Sequence, residues 1–162
     1  MDEPDQIDYV GEYIGTNGFL VQVAPAGTKD EGQFDKQYPI LAAKSAGMFI
    51  KREAFDVAGG FDEDYFIYVE ETDLGWRTWL AGYTVVFAPK CKVYHKFGTS
   101  SVILGKHKND YNSKFHGTKN YILTFLKNLN FFYLVRILPV HIFLWLGLAW
   151  FSLFQRRLNH FL

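Results

Sequence analysis

The 162-residue sequence lacks features on which several large classes of protein depend. Its only cysteine is Cys91, so no disulfide can form within the chain and nothing indicates an oxidising compartment. Its 17 basic and 17 acidic side chains balance, which leaves no electrostatic basis for binding nucleic acid. Residues 1–5 are acidic and polar, and we expect no secretory signal peptide there.

Phosphate-binding loops are missing as well. The sequence contains neither Gly-x-Gly-x-x-Gly nor the Walker lysine motif. No internal repeat and no low-complexity segment divides the chain. A length of 162 residues is enough for one ordinary domain, and 49% apolar residues can supply its core.

Short strands and short helices alternate through the first two thirds of the chain, which predicts an α/β fold. We expect helices over residues 52–58 and 70–81, each closed by glycine. Residues 61–68 are aromatic and acidic and are predicted to form a loop. Residues 106 to about 130 are polar at first and are expected to become helical. The predicted strands are residues 19–23, 45–51, 83–87 and 92–95, of which 45–51 should be buried.

Three carboxylates lie within four residues at the start of the second predicted helix: Glu70, Glu71 and Asp73. They could serve the helix alone, because its N-terminus carries partial positive charge, and Asp73 could pair with Arg77 one turn later. They could also act on a substrate. A carboxylate that removes a proton from a sugar hydroxyl must be held firmly and stay ionised, and a helix N-terminus favours both.

Three motifs in this region occur together at a characteristic spacing. They are Gly-Gly-Phe-Asp-Glu at residues 59–63, Glu-Glu-x-Asp-Leu-x-x-Arg at 70–77, and a histidine at residue 95. With flanking positions, residues 8–128 resemble the acceptor half of family 2 glycosyltransferases. The sequence is most similar to the rhamnosyl- and galactofuranosyl-transferase-like members of bacteria and archaea.

The resemblance implies a GT-A fold and inverting transfer from a nucleotide-sugar donor to a glycan or lipid-linked acceptor. Glu71 takes the place of the general base, although the family more often has Asp there; Asp73 is the alternative base, or an anchor of the helix start. His95 resembles a ligand of Mg²⁺ or Mn²⁺ bound to the donor pyrophosphate, and a hydrogen-bonded histidine at a strand end is the alternative. Glu70 is expected to contact acceptor hydroxyls.

Further substrate-binding positions follow from the same resemblance. Gly47, Met48 and Trp76 lie in the matching segments. Lys119, in a Lys119-Asn120 pair, could offset phosphate charge or could simply be solvated.

The donor half of such enzymes precedes these motifs and carries an Asp-x-Asp metal site. Few residues stand before Gly11, so we expect residues 1–128 to be the acceptor half alone, inactive by itself, with the metal held mainly elsewhere. A non-catalytic membrane or assembly module derived from such an enzyme is the alternative.

The end of the sequence is strongly apolar. Residues 131–154 are interrupted mainly by Arg136 and His141, and Arg156 and Arg157 follow. This length is close to the 20 residues that a spanning helix needs. We expect a membrane-associated or transmembrane helix at the cytoplasmic face of the cell membrane; an in-plane or re-entrant anchor and a buried helix of a larger fold are the alternatives.

Overall fold

The computed structural model describes residues 5–94 and 109–158; in the second range it describes the side chains of residues 115–151, 153 and 154. In these parts, six short strands form three antiparallel pairs. Strand β1 (Gln6–Ile7) pairs with β4 (Thr28–Lys29), β2 (Glu12–Ile14) with β3 (Leu20–Gln22), and β5 (Tyr38–Pro39) with β6 (Val86–Phe87). This mixture of helix and strand is consistent with the predicted α/β class.

Four α-helices accompany the strands in the described ranges. They are α1 (Arg52–Val57), α2 (Glu70–Leu80), α3 (Asn109–Asn128) and α4 (Phe131–Leu158). Helix α1 ends as predicted, with Gly59 at φ 83° and Gly60 at φ 68°, a conformation that glycine adopts without strain. Helix α2 also matches its predicted range, and the loop before it is present.

The buried strand predicted at residues 45–51 is wrong. Ser45–Gly47 is a 3₁₀ turn, closed by a 3.0 Å hydrogen bond from the Gly47 N–H to the Lys44 carbonyl. The backbone then runs extended at Met48, but no described strand pairs with it, and Phe49 is 89% exposed. A short apolar run favours a strand only where a partner is available.

Two later strand predictions also change. Only Val86–Phe87 of the predicted strand 83–87 is paired, with β5. Residues 92–94 form no strand, and residue 95 lies outside the described ranges.

The β2–β3 hairpin connects the first part of the chain to the two long helices. Tyr121 on α3 donates a hydrogen bond to the Gly18 carbonyl at 2.8 Å and accepts one from the Leu20 N–H at 2.9 Å. Gly18 is at φ 82°, and a Cβ atom there would lie 2.5 Å from Ile137 on α4. A side chain at this position would therefore separate the hairpin from α4.

Helix α4 packs on the rest of the chain through one narrow stripe. Ile137 and His141 are buried, and the His141 ring lies 5.0 Å from Phe125 and 4.4 Å from Phe19. Most other described side chains of α4 are exposed although they are apolar. The segment Phe131–Phe151 has a mean hydropathy of 1.8 and is only 11% buried, so it is long and apolar enough to cross a membrane.

Candidate functional site

The predicted acids stand in the first turn of α2, and their surroundings separate them into two groups. Glu71 and Glu70 face the segment around Lys44, as their ion pair and electrostatic interactions show, whereas Asp73 points into the protein interior. The helix begins from Val69, which has a left-handed backbone with φ 69° and supplies no side-chain cap. In place of a side-chain cap, the first turn of α2 carries acidic residues at the positive helix end.

Glu71 is nearly buried and forms an ion pair with Lys44. The Lys44 Nζ atom lies 3.2 Å from Glu71 Oε1 and 3.6 Å from Glu12 Oε2, so one ammonium group joins two carboxylates. Burial alone would lower the pKa of Lys44, but the attraction of Glu12 and Glu71 outweighs burial and raises it. The lysine is thus held in its charged form between α2 and β2.

Two further side chains complete this group. Thr72 donates a 2.6 Å hydrogen bond to Glu12 Oε1, which ties the first turn of α2 directly to β2. The Tyr9 ring lies 5.3 Å below the Lys44 ammonium, within the range of a cation–π contact. Burial raises the pKa of Tyr9, and the charge of Glu12 adds to this effect, so the phenol keeps its proton and donates to the Ala42 carbonyl.

Glu70 differs from its neighbour. Its Oε2 atom is buried and accepts no hydrogen bond from the described residues. Burial raises the pKa of the Glu70 carboxyl, and the negative charge of Glu71 raises it further. Glu70 therefore retains a proton more readily than an ordinary glutamate, and as a protonated acid it can donate as well as accept a hydrogen bond.

Asp73 is fully buried, and both of its carboxylate oxygens have hydrogen-bond partners. Arg77 approaches its Oδ2 atom with Nε at 2.8 Å and Nη2 at 2.6 Å. Its Oδ1 atom accepts hydrogen bonds from Tyr65 at 3.1 Å and Asn128 at 2.7 Å. Arg77 also donates to the Ala58 carbonyl at the end of α1. This geometry favours the anchoring role of Asp73 over the alternative role as a base.

The other predicted residues lie in three places: the turn after Lys44, the second turn of α2, and α3. Gly47 lies in the 3₁₀ turn that Lys44 begins, against Val93, and Met48 follows it, half-buried. Trp76 is half-buried in the second turn of α2. The Lys119 ammonium donates a 2.6 Å hydrogen bond to the Asp64 carbonyl, in the loop before α2, so it is not merely solvated.

Sequence reasoning missed the partners of the acids. Glu12, Lys44 and Tyr9 are separated from Glu71 by 27 residues or more in sequence and belong to no recognisable motif. Asn120 was noticed only as the neighbour of Lys119, yet its Nδ2 atom lies within hydrogen-bond distance of three carbonyls of the loop before α2, which share its two hydrogens.

The described residues do not by themselves fit a divalent metal. No group of three or more His, Cys, Asp or Glu side chains with metal-binding geometry occurs within them. Where Glu12 and Glu71 approach each other, the ammonium of Lys44 occupies the position between them. The predicted ligand His95 lies outside the described ranges, so the metal remains a prediction.

Comparison with known proteins gives one kind of relative. The chain is 39% identical over 79 residues to the N-acetylglucosaminyl-diphospho-decaprenol L-rhamnosyltransferase of Mycobacterium tuberculosis, in strains CDC 1551 / Oshkosh and ATCC 25618 / H37Rv alike. The similarity covers 45% of this chain and 26% of the relative, so the chain spans about a quarter of the length of the curated relatives it matches. No protein-family model and no solved structure matches it. The chain is thus related to a glycosyltransferase.

Proposed function

We propose that this chain is the acceptor-side part of an inverting family 2 glycosyltransferase with a GT-A fold. The observation that carries the proposal is the Glu70–Glu71 pair at the start of α2, with Glu71 held by Lys44, in a chain related to a rhamnosyltransferase. The acids occupy the place that the family motif gives to acceptor activation. The donor would be a nucleotide-sugar.

In this proposal Glu71 is the general base. One of its carboxylate oxygens is fixed at 3.2 Å from the Lys44 ammonium. An acceptor hydroxyl that binds beside it would transfer its proton to Glu71 as the oxygen attacks the sugar carbon from the face opposite the leaving nucleotide. Glu70, whose carboxyl has a raised pKa, would form a hydrogen bond to a neighbouring hydroxyl and so orient the acceptor.

The acceptor is proposed to be lipid-linked. The relative is named for an acceptor of that kind, a diphospho-decaprenol carrying N-acetylglucosamine. An apolar helix at the end of this chain would bring the site to the membrane in which such an acceptor resides. The membrane face proposed for the protein is the cytoplasmic one.

The way in which α4 packs favours a position along the membrane surface. Contacts with the hairpin and α3 run from Ile137 to Trp145, whose ring lies 6.1 Å from Tyr121. Beyond Trp145 the apolar part of α4 continues for nine residues, to Phe154, which is about 14 Å of helix. That is half of the roughly 30 Å hydrocarbon thickness. One side of α4 therefore covers the domain and the other would enter the lipid.

A divalent metal, Mg²⁺ or Mn²⁺, belongs to the same proposal. It would offset charge on the donor pyrophosphate, with His95 as one ligand and the remaining ligands in a donor-binding half. Within the described ranges the chain's own residues position the acceptor and accept its proton.

The test replaces Glu71 in an enzyme that contains a complete donor-binding half. Glu71→Gln keeps the size of the side chain but cannot accept the proton, so kcat should fall by about 10²–10⁴-fold with donor affinity little changed. Glu71→Asp should retain substantial activity. Turnover and donor binding are measured for both variants and for Asp73→Asn.

Wild-type turnover in Glu71→Gln with a collapse in Asp73→Asn would move the base to Asp73. A folded enzyme that tolerates both changes would instead show that the acids serve only the start of α2.

A further inference from the structure

The side chain of Asn120 on α3 binds three backbone carbonyls of the loop that leads into α2. It is fully buried, and its Nδ2 atom lies 2.8 Å from the Tyr65 oxygen, 2.7 Å from that of Ile67 and 2.7 Å from that of Tyr68. Only the nitrogen end of the amide can face carbonyl oxygens, so these contacts fix its orientation. Among the described residues, Oδ1 accepts no hydrogen bond. The amide is therefore committed to the loop.

The backbone that Asn120 binds is strained. Phe66, Tyr68 and Val69 have φ values of 62°, 67° and 69°, and they are the non-glycine residues with positive φ in the described ranges. A left-handed conformation is unfavourable for bulky side chains and most unusual for a β-branched one such as Val69. Such residues persist only where surrounding contacts hold them, and they concentrate at functional sites.

This strained segment adjoins the proposed acids directly. Val69 immediately precedes Glu70, and its carbonyl accepts the Asp73 N–H at 3.0 Å, so its conformation sets the direction in which α2 begins. A relaxed Val69 would rotate the first turn relative to Lys44. The Glu71 carboxylate would then leave its 3.2 Å contact.

We propose that Asn120 is a positioning residue, whose amide holds the strained loop over residues 66–69 so that Glu70 and Glu71 present their carboxyl groups in the geometry used for sugar transfer. The inference rests on the proposed function for the role of the two acids. The mechanical part, in which Asn120 holds the loop, can be measured on this chain without any turnover.

The first measurement compares two variants on the same helix. Asn120→Ala removes the contacts to the loop. Tyr121→Phe, one residue later, removes two hydrogen bonds that reach the hairpin instead. Hydrogen exchange of the Ile67 and Asp73 amides should accelerate by at least about tenfold in Asn120→Ala and stay near the wild-type rate in Tyr121→Phe. Asn120→Ser serves as the second variant where Asn120→Ala does not fold.

The second measurement tests whether Asn120 acts by stabilising the left-handed backbone at Val69. Glycine adopts φ near 69° freely, so Val69→Gly should make Asn120 less necessary. The acceleration of exchange caused by Asn120→Ala should therefore be several-fold smaller in the Val69→Gly background than in the wild type. An asparagine that merely adds stability to α3 would show the same effect in both backgrounds.

Turnover is the third measurement, in an enzyme with its donor-binding half. Asn120→Ala should lower kcat by at least about tenfold with donor KM unchanged, and Val69→Gly should restore part of the loss. Unchanged exchange in Asn120→Ala, or equal acceleration in both variants of the first comparison, would overturn the holding role. Exchange as expected with full turnover retained would overturn the catalytic consequence. The Glu71→Gln result tests the function separately.

Discussion

At the scale of single residues, Gly75 shows how closely α2 packs against the segment that carries Lys44. An added Cβ atom would lie 2.5 Å from the Ala42 Cβ and 2.6 Å from the Leu41 carbonyl oxygen. Neither neighbour is the end of a flexible side chain, so the backbone would have to move. Ala42 is two residues before Lys44, and any such movement would also disturb the ion pair with Glu71.

Gly75→Ala should therefore destabilise the protein despite the better helix propensity of alanine. We expect a loss of about 1–3 kcal/mol in the free energy of unfolding, the usual result of overpacking. Gly117→Ala on α3 is the matched control, because its added Cβ would meet nothing within 4 Å. It should gain about 0.5–1 kcal/mol. Denaturant unfolding of both variants decides; equal effects of the two would contradict the close packing at Gly75.

Also at the residue scale, the raised pKa of Glu70 predicts a pH dependence. The folded chain binds the Glu70 proton more tightly than the unfolded chain, whose carboxyl has its ordinary pKa near 4.5. The associated stability is complete below the unfolded pKa and is lost as pH rises through the folded pKa. Glu70→Gln resembles the protonated form at every pH.

The difference in Tm between Glu70→Gln and the wild type should therefore grow as pH rises from about 4 to 8, with the variant the more stable at neutral pH. Thermal unfolding measured by circular dichroism over this range provides the test. A difference that stays constant, or that favours the wild type at pH 8, would show that ionised Glu70 is well accommodated.

At the scale of elements, sequence patterns predicted helices much better than strands. Helices α1 and α2 were found because glycines end the first and acids begin the second, and both signals are local. Strands β1, β2, β4 and β5 are two or three residues long and were missed, because pairs this short depend on partners far along the chain. Residues 45–51 were predicted to be a strand from their apolar composition, but no described strand pairs with them.

The residues of the site were likewise predicted only where a local pattern marks them. Its acids were predicted from the start of α2, whereas their partners arrive from β2 and from the turn after β5. Thr72 and Glu12 are 60 residues apart, a separation over which no local signal operates. Asn120 contacts residues 52–55 positions before it, and only the structure reveals that role.

At the scale of elements, we predict how deeply α4 lies in the membrane. A helix along the membrane surface should hold Phe143, which is 76% exposed, about 5–10 Å below the headgroups, whereas a spanning helix would hold it near the bilayer centre. A nitroxide attached in the Cys91→Ser/Phe143→Cys variant reports this depth by its accessibility to oxygen and to a water-soluble relaxation agent.

The native Cys91, which is exposed, provides the matched aqueous label in the unmutated chain. Labels at both positions that remain fully accessible from water in lipid vesicles would exclude the membrane anchor altogether. A label on residue 143 at the bilayer centre would replace the surface helix with a spanning one.

At the scale of the whole molecule, the hairpin joins two regions with different tasks. Its strand β2 carries Glu12, which touches Lys44 and Thr72 beside the acids. Its turn carries Asn17, whose carbonyl lies 2.9 Å from His141 Nε2 on α4. Asn17 is only five positions after Glu12, so the hairpin links α4 to the site through a short stretch of chain.

Under the proposed function, that connection would make the bilayer an effector in the thermodynamic sense. A change in the hairpin that lipid imposed through α4 would alter the free energy of binding an acceptor at the proposed site. Linkage is reciprocal, so a bound acceptor must then alter the affinity of the chain for lipid by the same factor. A transferase assembled in this way would bind the membrane with one affinity before it captures its acceptor and with another afterwards.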